Sequence, residues 1–156
     1  MSKPTLNPQP DRTELVLARS HFRFGWWVMV VFVTMGLALE AAHALKMGFY
    51  LSVGNETRRL MWTLAHAHGT LLGLVNIALG VTMIHFPEWK ASRRQLASRA
   101  LFIATALLPG GFLLGGLFVH SGDPGLGALL IPPGGILLVL SAGLVALGLS
   151  SRGDDH

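Results

Sequence analysis

The sequence predicts an all-α integral membrane protein, a four-helix up-down-up-down bundle with both termini in the cytoplasm. Apolar residues make up 51% of the 156 residues and charged residues only 13%, with a mean hydropathy of +0.53. A soluble domain of this size does not expose so much apolar surface. Four apolar stretches have the length of about 20 residues that crosses a bilayer: Trp26–Lys46, Leu60–His85, Ala100–Val119 and Leu126–Leu149.

These helices form one transmembrane domain over residues 25–150, with no room for a separate soluble domain. Residues 1–24 are polar, contain prolines and lack the apolar core of a secretion signal, which predicts a retained cytoplasmic tail. Within this tail, residues 13–23 interleave apolar side chains with arginines, a pattern typical of a short interfacial helix. Residues 151–156 form the C-terminal tail.

Basic residues lie mainly on one side of the predicted membrane. That side carries Lys3, Arg12, Arg19, Arg23, Lys90, Arg93, Arg94 and Arg99, and the other carries Lys46, Arg58 and Arg59. By the positive-inside rule the richer side is cytoplasmic, and a bacterial inner membrane is the expected location. Topology and lipid headgroups account for these charges, so we expect no nucleic-acid binding despite the net charge of +4.

The loops are short, which makes consecutive helices antiparallel neighbours. Glycine pairs such as Gly69/Gly73 and Gly111/Gly115 permit close helix contact. These glycines are expected to pack helices within the bundle, against a second copy in a homo-oligomer, or against a larger membrane complex. The lipid bilayer is the remaining partner.

One face of the second helix carries small and polar residues at alternating spacings of three and four: His66, Gly69, Gly73, Asn76 and Gly80. This spacing places them on one side of a helix, and we expect that side to face the bundle interior. His68 projects about 160° away from His66. One of the two histidines is therefore a candidate ligand, and the other faces a different neighbour.

Ionisable residues inside membrane helices are costly and usually functional. Glu40 and His43 have the Glu-x-x-His spacing with which helical bundles build metal sites. At 1.5 Å per residue, Glu40 and His66 each lie roughly 9 Å inside the outer ends of their helices, so they can meet at one level. The alternative is that Glu40 pairs with a neighbouring histidine or with Arg58 as a purely structural clamp between helices.

Five potential metal ligands are thus predicted near the outer surface: Glu40, His43, His66, His68 and His120. His120 precedes a turn sequence, and a role in ending the helix accounts for it equally well. Without cysteine, the donors are imidazole and carboxylate, which suit iron, copper or zinc. In an enzyme, Glu40 would accept the proton. No role is assigned to the other histidines, His21, His85 and His156.

The stretch from His66 to Pro87 contains His-Ala-His-Gly-Thr-Leu-Leu-Gly, followed by Gly-Val and His-Phe-Pro. It resembles a segment of small four-helix membrane proteins related to subunit I of the haem-copper oxidases. The likeness covers the second helix only. It implies a haem held by His66 or His68, with His43 or His120 as the second axial ligand.

The leading hypothesis is a membrane protein that binds a metal or haem in a redox system. A non-catalytic accessory subunit, docked through its glycine-rich helices, is the first alternative. A small transporter or proton conductor is the second, with the Pro-Gly segments of the last two helices as the gate. We rank it last because the expected polar residues crowd one leaflet.

Overall fold

The computed structural model describes residues 12–86 and 89–150. In chain order its helices are α1 (Arg12–Ala44), the short α2 (Gly48–Leu51), α3 (Glu56–His85), α4 (Ala91–Leu117) and α5 (Ile131–Ser150). Short 3-10 helices at Val53–Asn55 and Leu126–Leu130 precede α3 and α5. The described part of the chain contains no β-strand.

Four helical segments are long and apolar enough to cross a membrane: Arg12–Ala44, Glu56–His85, Ala91–Leu117 and Leu126–Ser150. Their most apolar windows have mean hydropathies between 1.6 and 2.1. Length and composition therefore place the chain among integral membrane proteins. The predicted all-α fold with four apolar helices is confirmed.

α1 begins at Arg12, inside the segment predicted as a tail, and continues to Ala44. Its 33 residues extend about 50 Å, compared with roughly 30 Å for the hydrocarbon core of a bilayer. The early arginines interrupt the apolar run but not the helix, because Ala18, His21 and Gly25 are buried against other helices. The predicted tail residues 1–11 and 151–156, with His156, lie outside the described residues.

The small-residue stripe of α3 packs against α1. A Cβ atom added at Gly25 would lie 2.6 Å from the carbonyl oxygen of Gly73, and one at Gly73 would lie 2.9 Å from that of Gly25. One turn away, Gly69 makes room for the ring of Phe32. Such close van der Waals contact drives helix association in lipid. The prediction that this face looks into the bundle is therefore confirmed.

α3 and α4 form the centre of the bundle. They pack on each other, while the backbone of α1 packs on α3 and that of α5 on α4. The most apolar windows of α1 and α5 are each 11% buried, compared with 39% and 50% in α3 and α4. The core includes Leu72, Met83 and Leu101, each at most 1% exposed. The outer helices thus leave most of their apolar surface to the membrane.

Candidate functional site

A pocket of about 250 Å³ lies where α1 ends and α3 begins. Glu40 and His43 of α1 and His66 of α3 line it, together with Tyr50 of α2. Three of the five predicted ligands therefore border one pocket. It forms because α1 and α3 run past each other in opposite chain directions, with Gly25 next to Gly73 and Gly36 next to His66.

The imidazole of His66 is oriented by α1. Its Nδ1 lies 2.7 Å from the carbonyl oxygen of Phe32. A carbonyl can only accept a hydrogen bond, so Nδ1 carries a hydrogen, and in the neutral ring Nε2 then has a free lone pair. The ring lies on Gly36, where any Cβ would overlap with it. Metal-binding histidines are commonly held in this way, with one ring N–H on a carbonyl oxygen.

Glu40 and His43 are both exposed at the pocket. Among the described residues the ion pairs are Arg59–Glu56 and Arg94–Glu14, so Glu40 forms none. Arg58, one of the partners that the sequence allowed beside His43 and His66, instead donates to the Gly116 carbonyl at 3.1 Å and to Asn55 Oδ1 at 3.0 Å. The alternative that Glu40 only joins two helices through an ion pair is therefore not supported by these contacts.

The three side chains line one pocket without gathering around one point. In the described part of the chain, no three His, Asp or Glu side chains are arranged so that they could hold a metal ion. The reason is that His66 is held against α1 by Phe32, whereas Glu40 and His43 are exposed. A shared ion would require these two exposed side chains to move.

His68 lies on another side of α3. Its Nδ1 is 2.8 Å from the Leu64 carbonyl of its own helix, and its ring packs on Phe112 of α4 with 4.8 Å between the centroids. This agrees with the expectation that His66 and His68 face different neighbours. The prediction that His68 belongs to the same set of metal ligands as His66 is corrected, because the helical period turns its side chain toward α4.

His120 is exposed and belongs to a tight turn. Its backbone N–H donates to the Asp123 carbonyl at 3.1 Å, and the Asp123 N–H donates back at 2.9 Å. The turn closes through Ser121, which has a positive φ of 52°. His120 does not line the pocket of Glu40, His43 and His66. The predicted set of five ligands is therefore reduced to three that share a pocket.

A buried polar cluster that was not predicted from the sequence lies at the opposite end of α1. His21 is 0% exposed. Its Nδ1 lies 2.8 Å from Asn76 Oδ1 of α3, and its Nε2 lies 2.8 Å from Ser98 Oγ of α4. Its ring stacks on Phe102 with a centroid distance of 4.1 Å. Polar residues therefore occur at both ends of α1, which corrects the expectation that they crowd one leaflet.

The hydrogen bonds of this cluster determine the tautomer of His21. Asn76 Nδ2 lies 2.8 Å from the Leu72 carbonyl and 2.9 Å from Thr105 Oγ1. Because the carbonyl only accepts, this atom is the amide nitrogen and Oδ1 faces His21. His21 Nδ1 therefore donates to Asn76, and in the neutral ring Nε2 accepts from the Ser98 hydroxyl. All three helices of the cluster are joined by satisfied polar groups.

A spacing pattern in the sequence could have indicated that His21 is buried. The buried residues Glu14, Ala18, His21 and Gly25 follow spacings of four, three and four along α1, which is one helix face. We assigned His21 to a tail because the apolar run starts at Trp26. Nearby, Glu14 and Arg94 form an ion pair of 2.6 Å between α1 and α4, with side chains 10% and 8% exposed.

No family model, no curated protein and no solved structure matches this chain. The resemblance of the second helix to haem-copper oxidase subunit I therefore stays a prediction.

Proposed function

We propose that this protein binds a metal ion in the pocket of Glu40, His43 and His66, as a component of a membrane redox system. The observation that supports this most is that three ligand-type side chains from two helices line one small pocket. The Phe32 carbonyl orients His66, and in the neutral ring Nε2 has a lone pair free for a metal ion. His66 would be the fixed ligand, and the exposed Glu40 and His43 would close on the ion.

The donor set fits a metal ion better than it fits haem. Imidazole and carboxylate suit iron, copper or zinc, which would supply Lewis-acid or electron-transfer chemistry. Haem does not fit the residues as they are arranged. The pocket of about 250 Å³ is smaller than the roughly 300–1,000 Å³ of small-molecule sites, and His68 is turned toward Phe112.

We expect His66→Ala and Glu40→Ala to lower metal affinity by more than about 10-fold, the loss that even an indirect partner of a metal can cause. The double variant should lose little more than the worse single variant, because residues that act as a unit are non-additive. The measurement is elemental analysis of detergent-purified protein after dialysis against limiting iron, copper or zinc.

His85→Ala is the matched control for this experiment. His85 is exposed on the same helix, and its Nδ1 interacts with the Val81 carbonyl at 3.0 Å. The His85→Ala variant should keep the metal occupancy of the wild-type protein. Equal losses in His85→Ala, or full occupancy in both His66→Ala and Glu40→Ala, would remove the proposed site.

We further propose the up-down-up-down topology in a bacterial inner membrane, with both termini cytoplasmic. α1 and α4 begin at the end of the bundle where the arginines cluster, which the positive-inside rule assigns to the cytoplasm. Reporter fusions test this: a fluorescent protein should be active at either terminus, and a periplasmic phosphatase at neither. Phosphatase activity at either terminus would refute the proposed orientation and place the pocket on the cytoplasmic side of the membrane.

An accessory subunit is the second candidate function. Gly135 and Gly143 on α5 face open space, with no atom that a Cβ would meet within 4 Å. Small residues are enriched where membrane helices meet, so this side of α5 suits a partner helix. Elemental analysis separates the two candidates, because an accessory subunit would bind no stoichiometric metal.

A further inference from the structure

α1 and α4 begin side by side without contact between their backbones. Side chains bridge them instead, through the 2.6 Å ion pair of Glu14 with Arg94 and the 2.8 Å contact of His21 with Ser98. Side chains thus connect two helices whose backbones do not meet. A groove of about 250 Å³ remains between residues 13–20 of α1 and residues 95–99 of α4.

The groove has an apolar part and a polar part. Val16 and Leu17 of α1 supply aliphatic side chains, whereas Thr13, Gln95 and Arg99 supply a hydroxyl, an amide and a guanidinium. These polar groups include hydrogen-bond donors of the kinds that bind phosphate oxygens. The groove thus matches an amphiphile with an anionic head and an aliphatic tail.

Arg99 determines the charge of the groove. Among the described residues of this region, the carboxylate is that of Glu14, and it is paired with Arg94 at 2.6 Å. No carboxylate among residues 12–86 and 89–150 pairs with Arg99. Arg12, Arg19 and Arg23 are exposed on the same end of α1. Basic residues at a membrane surface attract anionic lipids, and guanidinium matches phosphate with two parallel hydrogen bonds.

The lengths of the helices place the groove at the membrane surface. A helix centred in a hydrocarbon core of about 30 Å leaves it roughly 10 residues from its midpoint. For α1 this boundary falls near Ala18 and for α4 near Arg94, given the helix limits Arg12–Ala44 and Ala91–Leu117. Both positions lie beside the groove, which therefore spans the boundary between the lipid headgroups and the hydrocarbon.

We propose that this groove binds the headgroup phosphate of an acidic phospholipid. Arg99 pairs with the phosphate, Thr13 and Gln95 donate hydrogen bonds to it, and an acyl chain runs along Val16 and Leu17. The site is separate from the metal pocket, which lies at the other end of α1. Its test therefore does not depend on the proposed metal function.

Thermal unfolding of the full chain in detergent tests the proposal, with phosphatidylglycerol, phosphatidylcholine or inorganic phosphate added. Phosphatidylglycerol should raise the Tm more than the other two, because a ligand that binds the folded state stabilises it by mass action. Arg99→Gln should lose more than half of this increase. Arg19→Gln removes the same charge from an exposed position of α1 that does not line the groove, and it should keep the increase.

Equal losses in Arg99→Gln and Arg19→Gln would show general charge attraction and overturn the proposal. The same increase with phosphatidylcholine would also overturn it. An equal increase with inorganic phosphate alone would assign the groove to free phosphate and refute the lipid. If Arg99→Gln does not fold, Gln95→Ala replaces it, and retained phosphatidylglycerol is counted by native mass spectrometry.

Discussion

Gly73→Leu is expected to prevent normal assembly of the bundle. A Cβ at this position would lie 2.6 Å from Met29 Cγ and 2.9 Å from the carbonyl oxygen of Gly25. The methionine side chain can turn away, but the carbonyl can move only with α1. Overpacking costs typically about 1–3 kcal/mol and occasionally more, and contact with backbone places this variant at or above the upper limit.

Gel filtration and thermal unfolding in detergent measure this effect, with Leu74→Ala as the control. Leu74 is 49% exposed on the same turn of α3, so its truncation removes little packing. The nearby Leu72 would not serve as a control. It is 1% exposed, so its truncation to alanine would itself cost about 2–5 kcal/mol of stability. A monodisperse Gly73→Leu protein with the wild-type Tm would contradict the close packing of α1 on α3.

His21→Phe is expected to destabilise the bundle by about 1–3 kcal/mol, since single interhelical hydrogen bonds in membrane proteins contribute roughly 0.6–1.7 kcal/mol and two are lost. Phenylalanine fills similar space beside Phe102 but leaves Asn76 Oδ1 without its donor. Asn76 is 0% exposed, so water does not replace that donor.

Adding Asn76→Leu to His21→Phe should recover part of this loss. Replacing both partners by apolar groups removes the unsatisfied oxygen, and Thr105 still donates to the Leu101 carbonyl at 2.8 Å. Thermal unfolding of both single variants and the double variant gives the coupling, with the exposed His85→Phe as the control. Strictly additive losses would show that His21 and Asn76 do not act as one hydrogen-bonded cluster.

The pocket was partly predictable from the sequence. Glu40 and His43 share a face because they are three residues apart, and equal depth brings His66 to the same level. The orientation of His66 was not predictable, because its partner is the backbone carbonyl of Phe32 on another helix. The position of His120 depends on the turn through Ser121, which the helical period does not describe.

The sequence by itself determined the class of this protein, the number of its long apolar helices and the small-residue face of α3. These properties follow from composition and from the period of a single helix, both of which are local. Only the tertiary structure decided that α1 begins at Arg12 and that His21, Asn76 and Ser98 meet. Those residues lie 55 and 77 positions apart from His21 along the chain, and no local pattern specifies which faces of three different helices come together.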